Sequence, residues 1–239
     1  MTAAMSDVHV LIHGAWHGAW CWDGVVEELR KRKVRAIPID LPGHGELANG
    51  QPGVDFTQYI SHVRDVLGEM GLDRVVLVGH SMAGAVIQRV AEEMPDRVEG
   101  LAFVAAHVLL DGQSIRDNAP PIAGVTDPFE ADRKTGTFRI RPEAARYLFY
   151  HDCSPGTQEW ALARLTPQPY RALTEPVKLQ AFHDLRIPTR YILCTHDRLL
   201  PPEFCRVQAG RLGCEPLELE GGHCPMVSRP AGLARLLVE

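Results

Sequence analysis

One serine of the chain lies in a turn that is typical of an activated nucleophile. Residues 79–84 read GHSMAG, follow the apolar run RVVLVG at Arg74–Gly79, and precede a helical pattern. A sharp strand-to-helix turn of this kind exposes the serine hydroxyl and requires small residues two positions before and two positions after the serine. Gly79 meets this requirement, and Ala83 exceeds the usual glycine by one methyl group. The pattern therefore predicts that Ser81 is a nucleophile.

A serine hydroxyl attacks efficiently only when a neighbouring base accepts its proton. His223 is the candidate base, because it lies in the loop GGHCP (residues 221–225) after the last predicted strand. Asp197 is the candidate acid that orients the imidazole, because it follows the predicted strand Thr189–Thr195 and completes the serine–acid–histidine order typical of this turn. Asp111 follows the preceding predicted strand and is the alternative acid, although we favour Asp197.

Nucleophilic attack on a carbonyl also requires N–H donors for the negative charge that develops on its oxygen. The turn after the first predicted strand reads HGAWHGAW (residues 13–20), and a strand that ends in His-Gly offers one such donor, here the N–H of Ala15. The second candidate is the N–H of Met82, where the dipole of the following helix also favours negative charge. We expect His13 and His17 to make structural hydrogen bonds rather than to transfer protons.

Candidates for substrate contact adjoin these turns, end a neighbouring strand or lie in the predicted cap described below: Gly14, Trp16, His107, Trp160 and Cys224. His107 follows the fourth predicted strand, where its imidazole could bond a polar substrate or, as we favour, a backbone carbonyl of the cap. Cys224 directly follows His223 and is expected to act as a small apolar side chain.

Short apolar runs and helical patterns alternate along the chain and predict how these residues are positioned. The predicted strands are His9–His13, Val34–Leu41, Arg74–Gly79, Val98–Ala106, Thr189–Thr195 and Glu215–Glu220, and the predicted helices are Trp22–Arg32, Phe56–Met70, Ala83–Glu93 and Pro230–Val238. Continuous apolar strands between helices indicate a mostly parallel sheet that is covered on both faces.

One segment breaks this alternation. Residues 112–184 are rich in Pro, Asp and Arg, and we interpret them as a mainly helical cap inserted over the carboxyl ends of the strands. Open α/β sheets bind their ligands at that edge. The chain is thus expected to form one α/β domain over residues 1–239, with the cap as an insertion.

Length and composition narrow the class of protein. A chain of 239 residues with 45% hydrophobic and 23% charged residues has an ordinary globular composition, whose core requires neither disulfides nor metal. The net charge of −5 gives no indication of nucleic-acid or anionic-membrane binding. No apolar run approaches the ~18 residues of a membrane span, and residues 1–7 show no secretory signal.

Cysteine spacing and glycine spacing bear on location and cofactors. The six cysteines match neither a zinc pattern nor a compact disulfide framework, which predicts free thiols and a cytoplasmic location. The sequence contains no cluster of metal ligands and no G-x-G-x-x-G dinucleotide pattern, so no metal and no cofactor are expected.

Four segments resemble the plant methylesterase and hydroxynitrile lyase family within the α/β hydrolases, which includes the salicylate-binding methyl-ester hydrolases. They are HVLIHGAWHGAWCW (His9–Trp22), VVLVGHSMAG (Val75–Gly84), YILCTHDRLLPPEF (Tyr191–Phe204) and GGHCPMVSRP (Gly221–Pro230). The resemblance covers nearly the whole chain and is weakest in the cap. It implies an α/β-hydrolase fold, a triad on Ser81, Asp197 and His223, oxyanion donors on Ala15 and Met82, no cofactor, small and mostly apolar ester substrates, and often a homodimer.

Departures from that family favour its esterase branch. The lyase branch has a threonine where this chain has Gly14, and where this chain has Cys224 it has the lysine that handles the charge of cyanide. The chain also departs from the esterase branch at one position, because that branch has an apolar residue where this chain has His107. The resemblance therefore implies a serine carboxylesterase for small apolar or aromatic esters such as methyl esters, which forms an acyl-enzyme intermediate. The same triad could hydrolyse a carbamate, an amide or a lactone, and a small-molecule receptor with little turnover is the alternative from another class.

Overall fold

A parallel sheet forms the centre of the protein in the computed structural model, which describes residues 8–48 and 53–239. The strands of these residues are β1 (Val8–Ile12), β2 (Arg35–Ile39), β3 (Val75–His80), β4 (Val98–Val104), β5 (Phe129–Asp132), β6 (Thr137–Ile140), β7 (Gln168–Pro169), β8 (Thr189–Cys194) and β9 (Leu217–Leu219). The central sheet has the order β2-β1-β3-β4-β8-β9, and each neighbouring pair is parallel.

The helices of the described residues flank this sheet or belong to the cap. They are α1 (Asp23–Lys31), α2 (Phe56–Glu69), α3 (Ala83–Glu93), α4 (Ile115–Asn118), α5 (Pro142–Leu148), α6 (Pro155–Leu162), α7 (Arg171–Thr174), α8 (Pro202–Arg211), α9 (Pro225–Ser228) and α10 (Pro230–Val238). Helix α1 packs against α10, and α2 packs against α3. Asp55 begins α2 with a reciprocal pair of hydrogen bonds to Gln58, which satisfies two N–H groups at the helix start.

The middle of the sheet positions the site. Every residue of β3 is buried, because the strand pairs with β1 and β4 on its two edges and packs against α3. Since parallel strands point the same way, the residues that follow β1, β3, β4 and β8 meet at one edge. Ser81, His107 and Asp197 all follow these strands at that edge.

The predicted strands and helices of the central sheet agree with the structure to within two residues at every end, and the two-residue differences are at the ends of β2 and β4 and the start of β9. Helix α8 was not predicted, because its buried side chains include the polar Gln208 beside Cys205 and Ala209, which hides the apolar period of the helix. Residues 1–7, where the sequence shows no secretory signal, lie outside the described residues.

The chain leaves the central sheet after β4 and returns at β8, and the cap lies between these strands. Two backbone hydrogen bonds of 2.9 Å, from Gly112 N–H to Val177 O and from Val177 N–H to Gln113 O, pair the two ends of the cap. Helices α4–α7 belong to the cap, but so does an antiparallel sheet β5-β6-β7 that the sequence interpretation missed. Its strands are short and partly exposed, so they lack the apolar pattern that indicates a strand.

The helices of the described residues are too short or too polar to cross a bilayer. All six cysteines are unpaired, which agrees with the expectation of free thiols.

Candidate active site

Ser81 lies in the turn between β3 and α3, and its hydroxyl contacts an imidazole. Its φ of 53° is in the left-handed region, which is strained for serine and typical of a nucleophile held in a sharp turn. Oγ of Ser81 lies 3.1 Å from Nε2 of His223, and Nδ1 of His223 lies 2.8 Å from Oδ2 of Asp197. All three residues are buried. This row of hydrogen bonds has the geometry of a nucleophile, a base and an orienting acid.

The loop after β8 holds Asp197 in place. Its Oδ1 accepts hydrogen bonds from the N–H of Leu199 at 2.8 Å and of Leu200 at 2.9 Å. The other oxygen, Oδ2, faces Nδ1 of His223. Because a carboxylate only accepts hydrogen bonds, Nδ1 carries the ring proton, and the unprotonated Nε2 can receive the serine proton. The alternative acid, Asp111, is exposed and accepts a hydrogen bond of 2.8 Å from the N–H of Leu179. The structure brings Asp197, and not Asp111, to the imidazole.

Close backbone contacts explain the small residues around the nucleophile. A Cβ atom added to Gly79 would lie 2.6 Å from the carbonyl oxygen of Ala83, and one added to Gly84 would lie 2.2 Å from that of His107. Ala83 itself is accommodated and fully buried. The restriction at Gly84 was missed in the sequence, because it arises between α3 and the residues after β4, which are distant along the chain.

The N–H groups of Ala15 and Met82 are available to an oxyanion. Both residues line the cavity in front of Ser81, and neither N–H donates to a protein atom of the described chain. Nδ1–H of His13 donates to the carbonyl oxygen of Gly14 at 2.7 Å, which fixes the peptide that carries the Ala15 N–H. Met82 directly precedes α3, where the helix dipole favours negative charge. The two donors have the placement that a developing oxyanion requires.

His13 and His17 both make structural hydrogen bonds. Nε2 of His13 accepts from the N–H of Leu41 at 3.0 Å. Nδ1–H of His17 donates to the carbonyl oxygen of Ala15 at 2.8 Å, and its Nε2 accepts from the hydroxyl of Tyr150 at 2.8 Å. Burial lowers the pKa of His13 to about 4 and that of His17 to about 3, so both rings are neutral near pH 7.

A mostly apolar cavity of about 380 Å³ opens beside Ser81 beneath the cap. Trp16 lines it with an indole that stacks on Phe129 at 5.4 Å and donates from Nε1–H to the carbonyl oxygen of Phe138 at 3.2 Å. The volume and the aromatic lining suit a small molecule that is mostly apolar. A larger surface groove of about 1050 Å³ lies along β5 and is lined by none of the triad or oxyanion residues.

Gly14, Trp160 and Cys224, which were predicted to contact substrate, are not among the residues that line this cavity. Trp160 is exposed on the cap and packs edge-on against Trp20, with ring centroids 5.2 Å apart, so it has no place in the site. Cys224 is fully buried, with Sγ 3.4 Å from Nε2 of His17, and it packs behind the triad as the small apolar side chain that was expected.

Gly14 lies directly against the nucleophile turn. A Cβ atom at this position would lie 2.9 Å from Cβ of Ser81 and 2.7 Å from Nδ1 of His80. No side chain fits there unless the turn moves. Gly14 therefore supports Ser81 by close packing rather than by contact with substrate.

His107 lines the cavity, as predicted, but the prediction that its ring bonds a backbone carbonyl of the cap is wrong. Its Nδ1 lies 3.0 Å from Nδ2 of Asn118, a side-chain amide in α4 of the cap. An amide nitrogen donates, so Nδ1 of His107 accepts.

Two side chains that the sequence analysis missed hold the loop of His223. Nε2–H of His80 donates to the carbonyl oxygen of His223 at 2.8 Å, and Oδ2 of Asp152 accepts from the N–H of Gly222 at 2.9 Å. His80 directly precedes Ser81, so its position in the nucleophile motif could have indicated a role at the site. Asp152 lies in the cap and has no sequence signal that relates it to the loop.

Known proteins are similar to this chain in sequence and in fold. Residues 10–236 match the alpha/beta hydrolase family. The chain belongs to that family. This alpha/beta hydrolase is 30% identical to a carbendazim hydrolyzing esterase from Nocardioides sp. over 241 residues, which cover 95% of this chain and 97% of that protein. It is 29% identical to methylesterase 17 of Arabidopsis thaliana over 249 residues, which cover 96% of this chain and 90% of that protein.

A solved structure has the same fold. An extracellular alpha/beta-hydrolase from a Paenibacillus species, described as sharing structural and functional homology with tobacco salicylic acid binding protein 2, superposes with a TM-score of 0.85 at 29% identity and covers 97% of each chain. The predicted α/β-hydrolase fold, the resemblance to methylesterases and the hydrolase class are thereby confirmed.

Proposed function

We propose that the protein is a serine-dependent carboxylic ester hydrolase. The observation that carries this proposal is the hydrogen-bonded row Ser81–His223–Asp197, whose serine lines an apolar cavity. Ala15 and Met82 line the same cavity, and their N–H groups donate to no protein atom of the described residues. Relatives that are named methylesterases and esterases support the reaction class.

The reaction follows from the order of the hydrogen bonds. Oγ of Ser81 attacks the ester carbonyl while its proton passes to Nε2 of His223, and the carbonyl oxygen becomes an oxyanion held by the N–H groups of Ala15 and Met82. The imidazolium, stabilised by Asp197, then protonates the leaving alcohol oxygen as the C–O bond breaks. Water loses a proton to His223, attacks the acyl-enzyme, and releases the acid and the free serine.

The cavity sets the substrate class. About 380 Å³ of space with Trp16, Phe129 and Phe138 on its walls suits esters of small apolar or aromatic groups, methyl esters among them. Gly14 and Cys224 stand where the lyase branch has a threonine and the lysine that handles the charge of cyanide, which supports hydrolysis over cyanide chemistry.

Location and assembly are separate parts of the proposal. Six unpaired cysteines support a reducing compartment such as the cytoplasm. The homodimer that the family resemblance implies stays a prediction, which sedimentation of the purified protein tests.

Hydrolysis of p-nitrophenyl esters from acetate to octanoate by the wild type and by Ser81→Ala tests the function. We expect Ser81→Ala to lose on the order of 10⁶ in kcat, and the chain-length profile of the wild type to report the size of the cavity. Serine-dependent turnover of carbamates, amides or lactones in preference to esters would place another acyl substrate on the same triad. A folded wild type that binds esters in thermal-shift experiments without turning them over would instead establish a receptor.

A further inference from the structure

We propose that His107 determines specificity by donating a hydrogen bond from Nε2–H to an acceptor oxygen of the substrate. This inference rests on the proposed function and makes it more specific. The enzyme then prefers esters that carry an ether or carbonyl oxygen at some distance from the scissile ester over hydrocarbon esters of the same shape. Donation from Nε2 requires that the ring proton of His107 lies on this nitrogen, and a chain of hydrogen bonds decides which nitrogen carries it.

The chain of hydrogen bonds begins at Arg211. A guanidinium only donates, and NH1 of Arg211 donates to Oδ1 of Asn118 at 2.7 Å. The amide of Asn118 is therefore oriented with Oδ1 toward Arg211 and Nδ2 away from it. A second contact agrees, because Nδ2 also donates at 3.0 Å to Oε1 of Gln208, which is identified as the oxygen by the bond it accepts from the N–H of Val108 at 2.8 Å.

Asn118 fixes the tautomer of His107. Nδ2 of Asn118 donates to Nδ1 of His107 at 3.0 Å, so Nδ1 carries no proton and the neutral ring carries its proton on Nε2. Burial, with smaller contributions from His223 and Arg211, lowers the pKa of His107 to about 3. The ring therefore stays neutral near pH 7, with one N–H to donate.

Nε2 of His107 faces the ligand space. His107 is 5% exposed and lines the cavity. Among the described residues its Nε2 has no hydrogen-bond partner. Nε2 is also not fully enclosed by protein, whereas Nδ1 of His80 is both enclosed and without a partner. The same cavity is lined by apolar side chains that offer no acceptor oxygen, among them Met82, Ile115 and Leu200. A buried donor without a partner is costly, so a ligand that supplies an acceptor is favoured over one that leaves the donor unpaired.

The other polar side chains on the lining are less suited to this role. NH1 of Arg116 donates to the hydroxyl of Tyr170 at 2.8 Å, and both residues are exposed at the cap, with Tyr170 at 47%. The hydroxyl of Thr174 donates to the carbonyl oxygen of Tyr170 at 3.1 Å. Water competes for exposed donors, so discrimination is expected at the buried imidazole.

The test uses pairs of p-nitrophenyl esters that differ by one replacement of CH₂ with oxygen: butanoate and methoxyacetate, pentanoate and 3-methoxypropanoate, hexanoate and 4-methoxybutanoate. The ratio of kcat/KM within each pair is measured for the wild type and for His107→Phe, which has the apolar character of the esterase branch. The intrinsic reactivity of each ester cancels in the quotient of the two ratios. We expect this quotient to favour the ether about 3- to 10-fold for at least one pair, as one uncharged hydrogen bond provides. A quotient of one for every pair overturns the proposal.

A second variant tests the tautomer while the imidazole remains. In Asn118→Asp the carboxylate accepts, so it draws the ring proton to Nδ1 and makes Nε2 an acceptor that cannot bond an ether oxygen. Assayed near pH 8.5, where a neutral ring is favoured, this variant is expected to lose the ether preference as His107→Phe does. Retention of the full preference in a folded Asn118→Asp protein contradicts the assigned tautomer and overturns the proposal.

A binding experiment separates this inference from the proposed function. Calorimetric binding of the methyl esters of the same acid pairs is compared between Ser81→Ala and the Ser81→Ala, His107→Phe double variant. An ether preference that disappears with His107 supports the inference even if neither ester is ever turned over. Serine-dependent hydrolysis without any such preference, in turnover or in binding, leaves the proposed function intact and refutes the inference alone.

Discussion

At the scale of single residues, the two carboxylates that follow adjacent strands have different expected effects on activity. Oδ2 of Asp197 lies 2.8 Å from Nδ1 of His223, whereas Asp111 accepts a hydrogen bond from the N–H of Leu179 and makes no contact with this imidazole among the described residues. We therefore expect Asp197→Ala to lose on the order of 10⁴ in kcat, because the imidazole loses both its fixed tautomer and the charge that stabilises the imidazolium. Steady-state kinetics of Asp197→Ala beside Asp111→Ala measures this. Equal losses for both variants would contradict the assignment of the acid.

Gly14 allows a second prediction at this scale. A methyl group at Gly14 would displace the turn of Ser81 or the peptide that carries the Ala15 N–H, since its Cβ would lie 2.9 Å from Cβ of Ser81. Loss of one oxyanion donor costs about 10²–10³ in kcat, so Gly14→Ala is expected to lose up to that factor. The matched control is Gly210→Ala on α8, where a Cβ atom has no neighbour within 4 Å and activity should be unchanged. Full activity in Gly14→Ala would show that the two turns tolerate the shift.

At the scale of elements, the close approach of α3 to the residues after β4 sets the position of the nucleophile. A Cβ atom on Gly84 would lie 2.2 Å from the carbonyl oxygen of His107, a backbone group that cannot rotate away. Gly84→Ala is therefore expected to lower the free energy of unfolding by about 1–3 kcal/mol, as overpacking does. In Gly68→Ala on α2, where nothing lies within 4 Å, we expect an increase of about 0.5–1 kcal/mol from helix propensity. Urea unfolding of both variants measures the difference, and a stabilised Gly84→Ala protein would refute the steric argument.

The cap shows why elements are harder to predict where they are exposed. Strands β5 and β6 carry Glu130, Asp132 and Arg139 on their open sides, so their sequence resembles a loop. Their inner residues Phe129 and Phe138 pack on Trp16, and this tertiary contact makes the strands part of the cavity wall.

At the scale of the whole molecule, buried histidines make stability depend on pH. The folded protein lowers the pKa of six of them, with burial as the main cause: His9, His13, His17, His44, His80 and His107. A group whose folded pKa is lowered takes up its proton on unfolding at any pH between the ordinary value of about 6.5 and the folded value. Stability is then complete above about pH 6.5 and falls as the pH decreases toward the folded values, about 4 for His13 and about 3 for His17 and His107.

The size of this effect sets the expected acid limit. Each proton contributes at most about 1.4 kcal/mol per pH unit, so six contribute at most roughly 8 kcal/mol per pH unit, comparable to a whole domain's stability of about 5–15 kcal/mol. We expect the free energy of unfolding in urea to fall steeply between pH 7 and pH 5. In His9→Gln, which removes one of these groups, the fall in the unfolding free energy should be less steep. An unfolding free energy that is equal at pH 7 and pH 5 would contradict the burial of neutral imidazoles.

The sequence by itself determined the central sheet and the candidate nucleophile and base, and it narrowed the candidate acid to Asp197 or Asp111. Nearly continuous apolar strands such as β3 are typical of a sheet that is covered on both faces, and the residues that follow its parallel strands meet at one edge. Local pattern and chain order therefore indicated Ser81 and favoured Asp197. Short-range rules suffice for these features because they depend on neighbours along the chain.

Only the tertiary structure decided the features that depend on contacts between distant segments. It excluded Trp160 from the site, gave Gly14 a packing role, and showed that Gly84 faces a carbonyl oxygen from the residues after β4. It also placed Asn118 between Arg211 and His107, and thereby fixed which ring nitrogen donates into the cavity. The direction of a hydrogen bond follows from which atoms meet, and the sequence does not contain that information without the fold.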